Sequence, residues 1–422
     1  MSSRKVKIGL LGCGTVGRGF VELLARNHAL IRQRSGAELT ISKILVRDLG
    51  KSRPGVDREL LTPQPEKVLN NGCDLIVELI GGIEPARSFI EQALACGKHV
   101  VTANKALLAL DGFRLRQAAE TQNLRLGFEA SVCSGIPIIR ALRSGLVGNH
   151  IESLSGILNG TCNYILTRMS ETGLDFDGAL HEAQQKGFAE ADPTLDVDGH
   201  DAAQKLKILA ELAFQAEIAS AAVAVEGIRG VTADDVQAAR ELGYVIKHVA
   251  IAEIVKESVS LQVAPVLLPK THALASVHDE NNAVLVRGDA VGEMFFAGKG
   301  AGSLPSASGV LSDVVDIACH QGGMPVQFAH QVHATVSDSA CQRYVRFTVG
   351  DPTAIGPITQ ALERNHVAVS RAAAVWAKHA QGTHQVRILT QPARRQAIED
   401  ALQHVGHLGL SHGKPLLLRV AA

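Results

Sequence analysis

The chain carries no excess charge of either sign: over 422 residues, lysine plus arginine and aspartate plus glutamate stand at 42 each. No global field draws it to nucleic acid or an anionic membrane, so neither is expected as a partner. Its seven cysteines, Cys13, Cys73, Cys96, Cys133, Cys162, Cys319 and Cys341, include no CxxC pair and no zinc-ligand spacing. An odd, unpaired set argues for reduced thiols and a cytoplasmic setting. No uninterrupted apolar run is long enough to cross a bilayer. The basic start, residues 1–7, meets a glycine motif at once and lacks the apolar region of a signal peptide. The histidines are scattered, and His330 and His333, three apart, are given no role.

What is present is an ordinary globular composition, 46% hydrophobic and 20% charged, in a chain long enough for two to three domains. Residues 6–11 have the pattern of a buried strand. They run into Gly12-Cys13-Gly14-Thr15-Val16-Gly17 and then the helical spacing of Phe20, Val21, Leu23 and Leu24. In that context the glycines let the backbone approach a pyrophosphate and the helix start supplies N–H donors. The next strand, 39–46, ends in Arg47-Asp48, with Lys51 and Arg53 behind it. An acidic residue there binds the ribose hydroxyls of NAD, and an arginine holds the 2′-phosphate of NADP. Both residue types are present, so the choice stays open, with NADP favoured by the three cations. Strands at 74–80, 98–102 and 124–129 alternate with a helix at 85–96, and Lys105 follows the second of them. The fold class is α/β: a doubly wound Rossmann-type domain over 1–137, completed near 305–325, whose ligands sit beyond the strand ends.

Residues 187–201 form a loop dense in carboxylates that gives way to the apolar run 206–214. Asp198 is placed to cap that helix, and Asp201 adds negative charge where a helix start favours it. Lys205 lies one turn after Asp201 and heads the stripe Ile208, Leu209, Leu212, whereas Lys207 faces Glu211 and solvent. Spacing alone allows two readings. One is a cap with an ion pair contributing a few tenths of a kcal/mol. The other is an ammonium that hands a proton to a substrate oxygen while carboxylates hold an amine.

A helix over 138–146 leads to a strand at 151–158 and to Asn159-Gly160-Thr161, where Thr161 is placed to begin a helix. Strands at 261–267 and 283–286 suggest an α+β domain over 138–304, an open sheet with helices on one face. A second glycine-rich loop, 298–305, precedes Val310, Val314, Val315 and Ile317 in helical spacing. It either closes over the cofactor beside Gly187 or acts as a hinge. After a linker at 321–325, residues 343–422 have the βαββαβ order: strand 343–349, helix 355–365, strands near 367–375 and 385–389, helix 394–405, strand 416–420.

The run from Ala183 and Gly187 through Asp192-Pro193, Asp196, Gly199 and Asp201 to Lys205 resembles the signature of homoserine dehydrogenases. These enzymes reduce L-aspartate 4-semialdehyde to L-homoserine with a nicotinamide cofactor. The signature is long and mixed in residue type, and further matches follow in order along most of the chain. The resemblance implies that Lys205 is the acid/base, that Glu190 and Asp201 bind substrate, and that Lys105, in Thr-Ala-Asn-Lys, stands between nicotinamide and substrate. It also implies that Gly12, Gly14, Thr15, Val16, Gly17, Arg47, Lys105, Gly187 and Gly302 meet the cofactor. A structural sodium ion would take the Glu129 carboxylate and the carbonyls of Val132, Ser134 and Ile136. Ser134 stands where the family commonly has Gly or Ala, and Pro305-Ser306-Ala307-Ser308-Gly309 where it has Pro-Thr-Ala-Ser-Ala. Residues 343–422 resemble an ACT regulatory domain, which in relatives binds an amino acid, often threonine, and pairs with a copy of itself. Its Pro-Gly-Val turn is replaced here by Pro352-Thr353-Ala354-Ile355. The expected partners are a small-molecule substrate, a threonine effector and further copies of the chain, as a homodimer or homotetramer. Two other readings stay open: an acylating semialdehyde dehydrogenase with Cys133 as thiol nucleophile, and a non-catalytic ligand sensor.

Overall fold

The computed structural model describes residues 4–255, 258–319, 330–331, 334–335, 339–376 and 383–421. The linker at 321–325, His333 and the side chain of His330 lie outside that description. The chain divides into two compact units, one of 1–152, 204–220 and 282–333, the other of 153–203, 221–281 and 334–422.

The first unit is built on six strands, β1 (Arg4–Leu11), β2 (Ala37–Leu45), β3 (Leu61–Thr62), β4 (Leu75–Glu78), β5 (His99–Thr102) and β6 (Leu126–Gly127). All pairings are parallel, in the order β3-β2-β1-β4-β5-β6. That is the doubly wound order whose direction reverses at β1, where a crevice must open. Every residue of β4 is buried, as a strand covered on both faces requires. Helix α1 (Thr15–Arg26) sets Phe20, Leu23 and Leu24 against Ile8 and Leu10, and the helix Ser303–Cys319 adds Ala307, Val310 and Val314 to the same core. Each such Leu, Ile, Val or Phe side chain contributes about 1.5–3 kcal/mol when fully buried. The strand expected over 124–129 shortens to two residues. Glu129 begins a 3₁₀ turn, and its carboxylate accepts the amides of Ile139 and Arg140 at 2.9 and 2.8 Å.

The second unit holds β7 (Ile151–Ile157), α2 (Gly160–Thr172), α3 (Thr194–Val197), the start of α4 (His200–Phe214), β8 (Val223–Val225), β9 (Tyr244–Val255) and β10 (Ser258–Pro269). β9 pairs antiparallel with β7 and β10, and β8 lies parallel beside β10. β9 escaped the sequence reading because Lys247 and His248 interrupt its apolar run. Both are buried. Lys247 Nζ donates to the Val277 carbonyl at 2.5 Å and Asn163 Oδ1 at 3.1 Å. Burial pulls Lys247 down to about 8 and His248 to about 4.

The rest of this unit follows the βαββαβ order read from the sequence: β11 (Arg343–Val349), α5 (Ile355–Arg364), β12 (Val369–Trp376), β13 (His384–Thr390), α6 (Arg395–His407) and β14 (His412–Val420). The strands lie in the order β14-β11-β13-β12, all antiparallel. β14 also pairs in parallel with β10, through Val266↔Arg419 and Leu267↔Val420. Alternation gives the sheet two faces. Tyr344 and Leu418 enter the core that holds Cys162, Ile165 and Ala183, while Val345, Phe347 and Val349 pack on Ile358, Leu362 and Ile398.

Candidate active site

The crevice of the first unit opens at the strand-order reversal. It measures roughly 690 Å³ and is lined by Gly12, Gly14, Arg47, Asp48, residues 79–82 and others. Gly12 has φ +97°, and a Cβ there would stand 2.7 Å from the Leu79 carbonyl. One at Gly17 would stand 2.4 Å from the Gly12 carbonyl, so this glycine lets α1 close on the turn. Nothing among the described residues lies within 4 Å of where a Cβ on Gly14 would stand, and this glycine heads α1 with no side-chain cap. The amides of Thr15, Val16 and Gly17 thus form the first turn beside an open cradle, the arrangement a pyrophosphate needs. Gly302, also in this unit, precedes Ser303, whose hydroxyl donates to the Thr15 carbonyl at 2.9 Å. On the crevice wall the Asp48 carboxylate accepts the Gly50 amide at 2.7 Å, and Arg53 donates to the carbonyls of Asp48 and Lys51. Arg47, exposed at the end of β2, adds a third cation to that wall with Lys51 and Arg53.

Lys105 is placed by a buried carboxylate. Glu78, at the end of β4, accepts the Thr102 hydroxyl at 2.6 Å and the amides of Ile80 and Gly81 at 2.7 and 3.1 Å. Asn104 caps the helix Lys105–Thr121 by accepting the Leu107 amide, and donates to the Gly82 carbonyl at 2.6 Å. The crevice turn and the start of the Lys105 helix are thereby one hydrogen-bonded piece.

On α4 the two lysines separate, with one correction. Lys205 is half-buried. Lys207, expected in solvent, is 5% exposed and donates to Glu211 at 2.5 Å. Every residue over 206–212 is buried, so this helix has no water-facing side there. The charge must be met inside, and Glu211, fully buried, also takes Arg116 at 3.0 Å. Arg116 and Arg143 lie over Phe128, each 5.7 Å from the ring centre.

In the second unit the carboxylates gather on a hub that the sequence reading missed. Asn159 Nδ2 donates to Asp196 at 2.7 Å and Asp201 at 2.8 Å, while Asn159 Oδ1 accepts the Cys162 amide. Asn159, not Thr161, therefore caps α2. Thr161 instead donates to the Phe188 carbonyl at 2.7 Å. The signal was present as Asn-Gly-Thr, but its partners lie 37 and 42 residues away. A second correction concerns Asp198: α4 begins at His200, so Gly199 is the residue before it, and the Asp198 carboxylate pairs with Arg229 at 2.5 Å. Gly199 has φ +89°, and its missing side chain leaves room for Val225 and His248. Asp201 sits in the first turn, one turn before Lys205. Glu190 and Gly187 are exposed in this unit, and the Glu190 carbonyl accepts from Gln184.

Comparisons with known proteins point to one family. Residues 12–129 match the homoserine dehydrogenase NAD-binding domain and 137–315 the homoserine dehydrogenase domain. The homoserine dehydrogenase of Synechocystis sp. is 42% identical, over 98% of this chain and 99% of its own. The chain belongs to the homoserine dehydrogenase family. A homoserine dehydrogenase crystal structure from Thiobacillus denitrificans matches at TM-score 0.92 and 38% identity, over 99% of this chain and 98% of that one. A hyperthermophilic archaeal homoserine dehydrogenase in complex with NADPH matches at TM-score 0.63 and 29% identity, over 74% of this chain and 97% of that one.

Against that family background the acylating reading is not favoured. Cys133 is 1% exposed, so its thiol does not present itself to a substrate. The loop around it is oxygen-rich. Burial pushes the Glu129 carboxyl up, although two amides donate to it, and the Ile136 carbonyl accepts from Ile138 at 2.7 Å. Each carboxylate oxygen of Glu129 keeps a lone pair beyond its amide bond, and all four expected donors are hard oxygens. The donor type fits a hard monovalent cation. Among the described residues no group of three His, Cys, Asp or Glu gathers to hold a metal, and no helix is long and apolar enough to cross a membrane.

Proposed function

We propose a residue-by-residue assignment for the activity that defines this family. The chain is an oxidoreductase that interconverts L-aspartate 4-semialdehyde and L-homoserine. The observation that carries the assignment is the placement of Asp201 and Lys205 one turn apart on α4, with Asp201 held by Asn159. The crevice glycines fit a nicotinamide dinucleotide, with Gly14 left open to its pyrophosphate. When bound, that cofactor supplies hydride to the aldehyde carbon. The Lys205 ammonium then holds the aldehyde oxygen and gives it a proton as negative charge develops. Lys105 lends a second positive charge beside the reacting carbon. Glu190 and Asp201 take the substrate's α-ammonium, and Asn159 keeps Asp201 aimed. In the reverse direction Lys205, as a neutral amine, receives the hydroxyl proton.

Thr15, Val16 and Gly17 amides, Gly187 and Gly302 complete the cofactor contacts, and Arg47 meets a 2′-phosphate. NADP is therefore the favoured cofactor, supported by the engagement of Asp48 with its own turn. Glu129, Val132, Ser134 and Ile136 would hold a structural sodium ion. The domain limits are 1–137 with a return near 305–325, 138–304, and 343–422. The last of these is an ACT-like module for self-pairing and a threonine effector, supported by its strand order. A cytoplasmic homodimer or homotetramer follows from the same family reading.

The test is the absorbance of reduced nicotinamide when purified protein meets L-homoserine at alkaline pH, with NAD and NADP in parallel, with and without phosphate. Phosphate-independent reduction, faster with NADP, is the expected result. Absence of reduction in both directions, or dependence on phosphate, would overturn the assignment.

A further inference from the structure

A second polar cavity, of about 120 Å³, lies in the second unit where β8, β10 and β14 meet the start of α6. Three arginines line it, Arg343, Arg395 and Arg419, with Glu226 and Glu399. Arg343 and Arg419 are direct cross-strand partners on β11 and β14. Like charges facing each other across a ladder are destabilising unless something of opposite charge lies between them. Their protein counter-charges are uneven. Arg395 pairs with Glu399 at 2.6 Å and Arg419 with Glu253 at 3.8 Å, whereas Arg343 has no salt bridge among the described residues. Arg343 is only 8% exposed, and its Nε is buried without a hydrogen-bond partner among the described residues. Burial works against its charge, so the site carries a cost that a bound anion would remove. Helix α6 also starts here with no side-chain cap.

We propose that Arg343, Arg395 and Arg419 form a binding site for a compact oxyanion, a phosphate or a small carboxylate, and that its occupancy is felt by the 196–201 turn. Guanidinium forks recognise this class of ligand. The route to the turn is short and stays within the unit. Val225 of β8 fills the space left by Gly199. The Glu226 carbonyl accepts from His248 Nε2 at 3.0 Å, and the His248 ring packs on the same glycine. Ile228 donates to the Val197 carbonyl at 2.8 Å, and Arg229 holds Asp198. An anion that competes with the Glu226 carboxylate for Arg343 and Arg395 displaces that end of the segment and so shifts the support of Asp201. This coupling rests on the assignment of Asp201 to the substrate made above; the binding site does not.

The test is calorimetric titration of the full-length protein, saturated with NADP to cover the crevice cations, with orthophosphate and separately with succinate. Chloride at equal ionic strength is the reference. Saturable binding of one or both is expected, weakened at least about tenfold by Arg343→Gln and by Arg395→Ala. The half-exposed Arg395 keeps the test alive if Arg343→Gln does not fold. Phosphate alone binding identifies a phosphate site, and succinate alone a carboxylate site. No saturable binding of either, or binding unchanged in both variants, overturns the proposal. On saturation the KM for L-homoserine should shift about five- to tenfold with kcat nearly constant, the lower end of an ordinary coupling energy. Binding without that shift overturns the coupling. Because heat is read without turnover, a failed site is distinguishable from a failed catalytic assignment.

Discussion

The crevice of the first unit and the carboxylate cluster of the second, assigned above to cofactor and to substrate, are made of different materials. The crevice is backbone: Gly12, Gly14 and Gly17 matter for atoms they lack. The cluster is side chain: one amide, Asn159, ties together two carboxylates that stand 37 and 42 residues away. A site made of missing atoms tolerates no addition, whereas a site made of a hub tolerates no removal.

The largest effect should come from adding one methyl group. Gly17→Ala forces a Cβ to within 2.4 Å of the Gly12 carbonyl. It should destabilise the first unit by roughly 1–3 kcal/mol and weaken cofactor affinity at least about tenfold. Gly14→Ala meets no atom of the described residues within 4 Å, so it should leave melting unchanged and lower cofactor affinity alone. Equal melting losses in the two variants would erase the distinction between packing and cradle. Thermal melts and cofactor titrations check both.

Removing the hub should come next. Asn159→Ala strips an amide donor from Asp196 and Asp201 and a cap from α2. A loss of about 1–2 kcal/mol in stability and a rise of about tenfold in the KM for L-homoserine are expected, with cofactor affinity intact. A change confined to cofactor binding would contradict the division of labour.

The smallest effects lie in pH dependence, and the two units should differ in sign. In the first unit burial pushes Asp313 up to about 7, against the donated Glu129 amide. A raised acid binds more protons when folded, so its stabilisation is full below about pH 4 and is lost as pH rises through 7. In the second unit Lys247, lowered to about 8, binds fewer protons folded than unfolded, so stability rises between about pH 8 and its unfolded value. Asp313→Asn and Lys247→Met should each flatten their own window. Melting against pH checks the slopes, and an Asp313→Asn profile that stays parallel to wild type between pH 4 and 7 would reject that half.

The same contrast explains what was legible in the sequence. A backbone site is contiguous, so residues 12–17 and five of the six parallel strands could be followed along the chain, while the two-residue β3 left no pattern. The βαββαβ elements were legible too, since short strands alternate with amphipathic helices between turns. Lys207 misled because helical spacing assumes one wet face, and 206–212 has none. β9 was hidden by Lys247 and His248, buried polar residues whose partners, Val277, Asn163 and Glu226, are remote in sequence. The pairing of β14 with β10 was hidden for the same reason: hydrogen bonds between distant segments leave no local pattern.

Lys205 remains the centre of the account, and one variant tests it. In Lys205→Ala, turnover of L-homoserine should fall by about 10²–10⁴-fold while cofactor affinity and melting temperature stay at wild-type values. Near-normal turnover in a folded, cofactor-binding Lys205→Ala protein would contradict the assignment and return Lys205 to the role of a helix ion-pair residue.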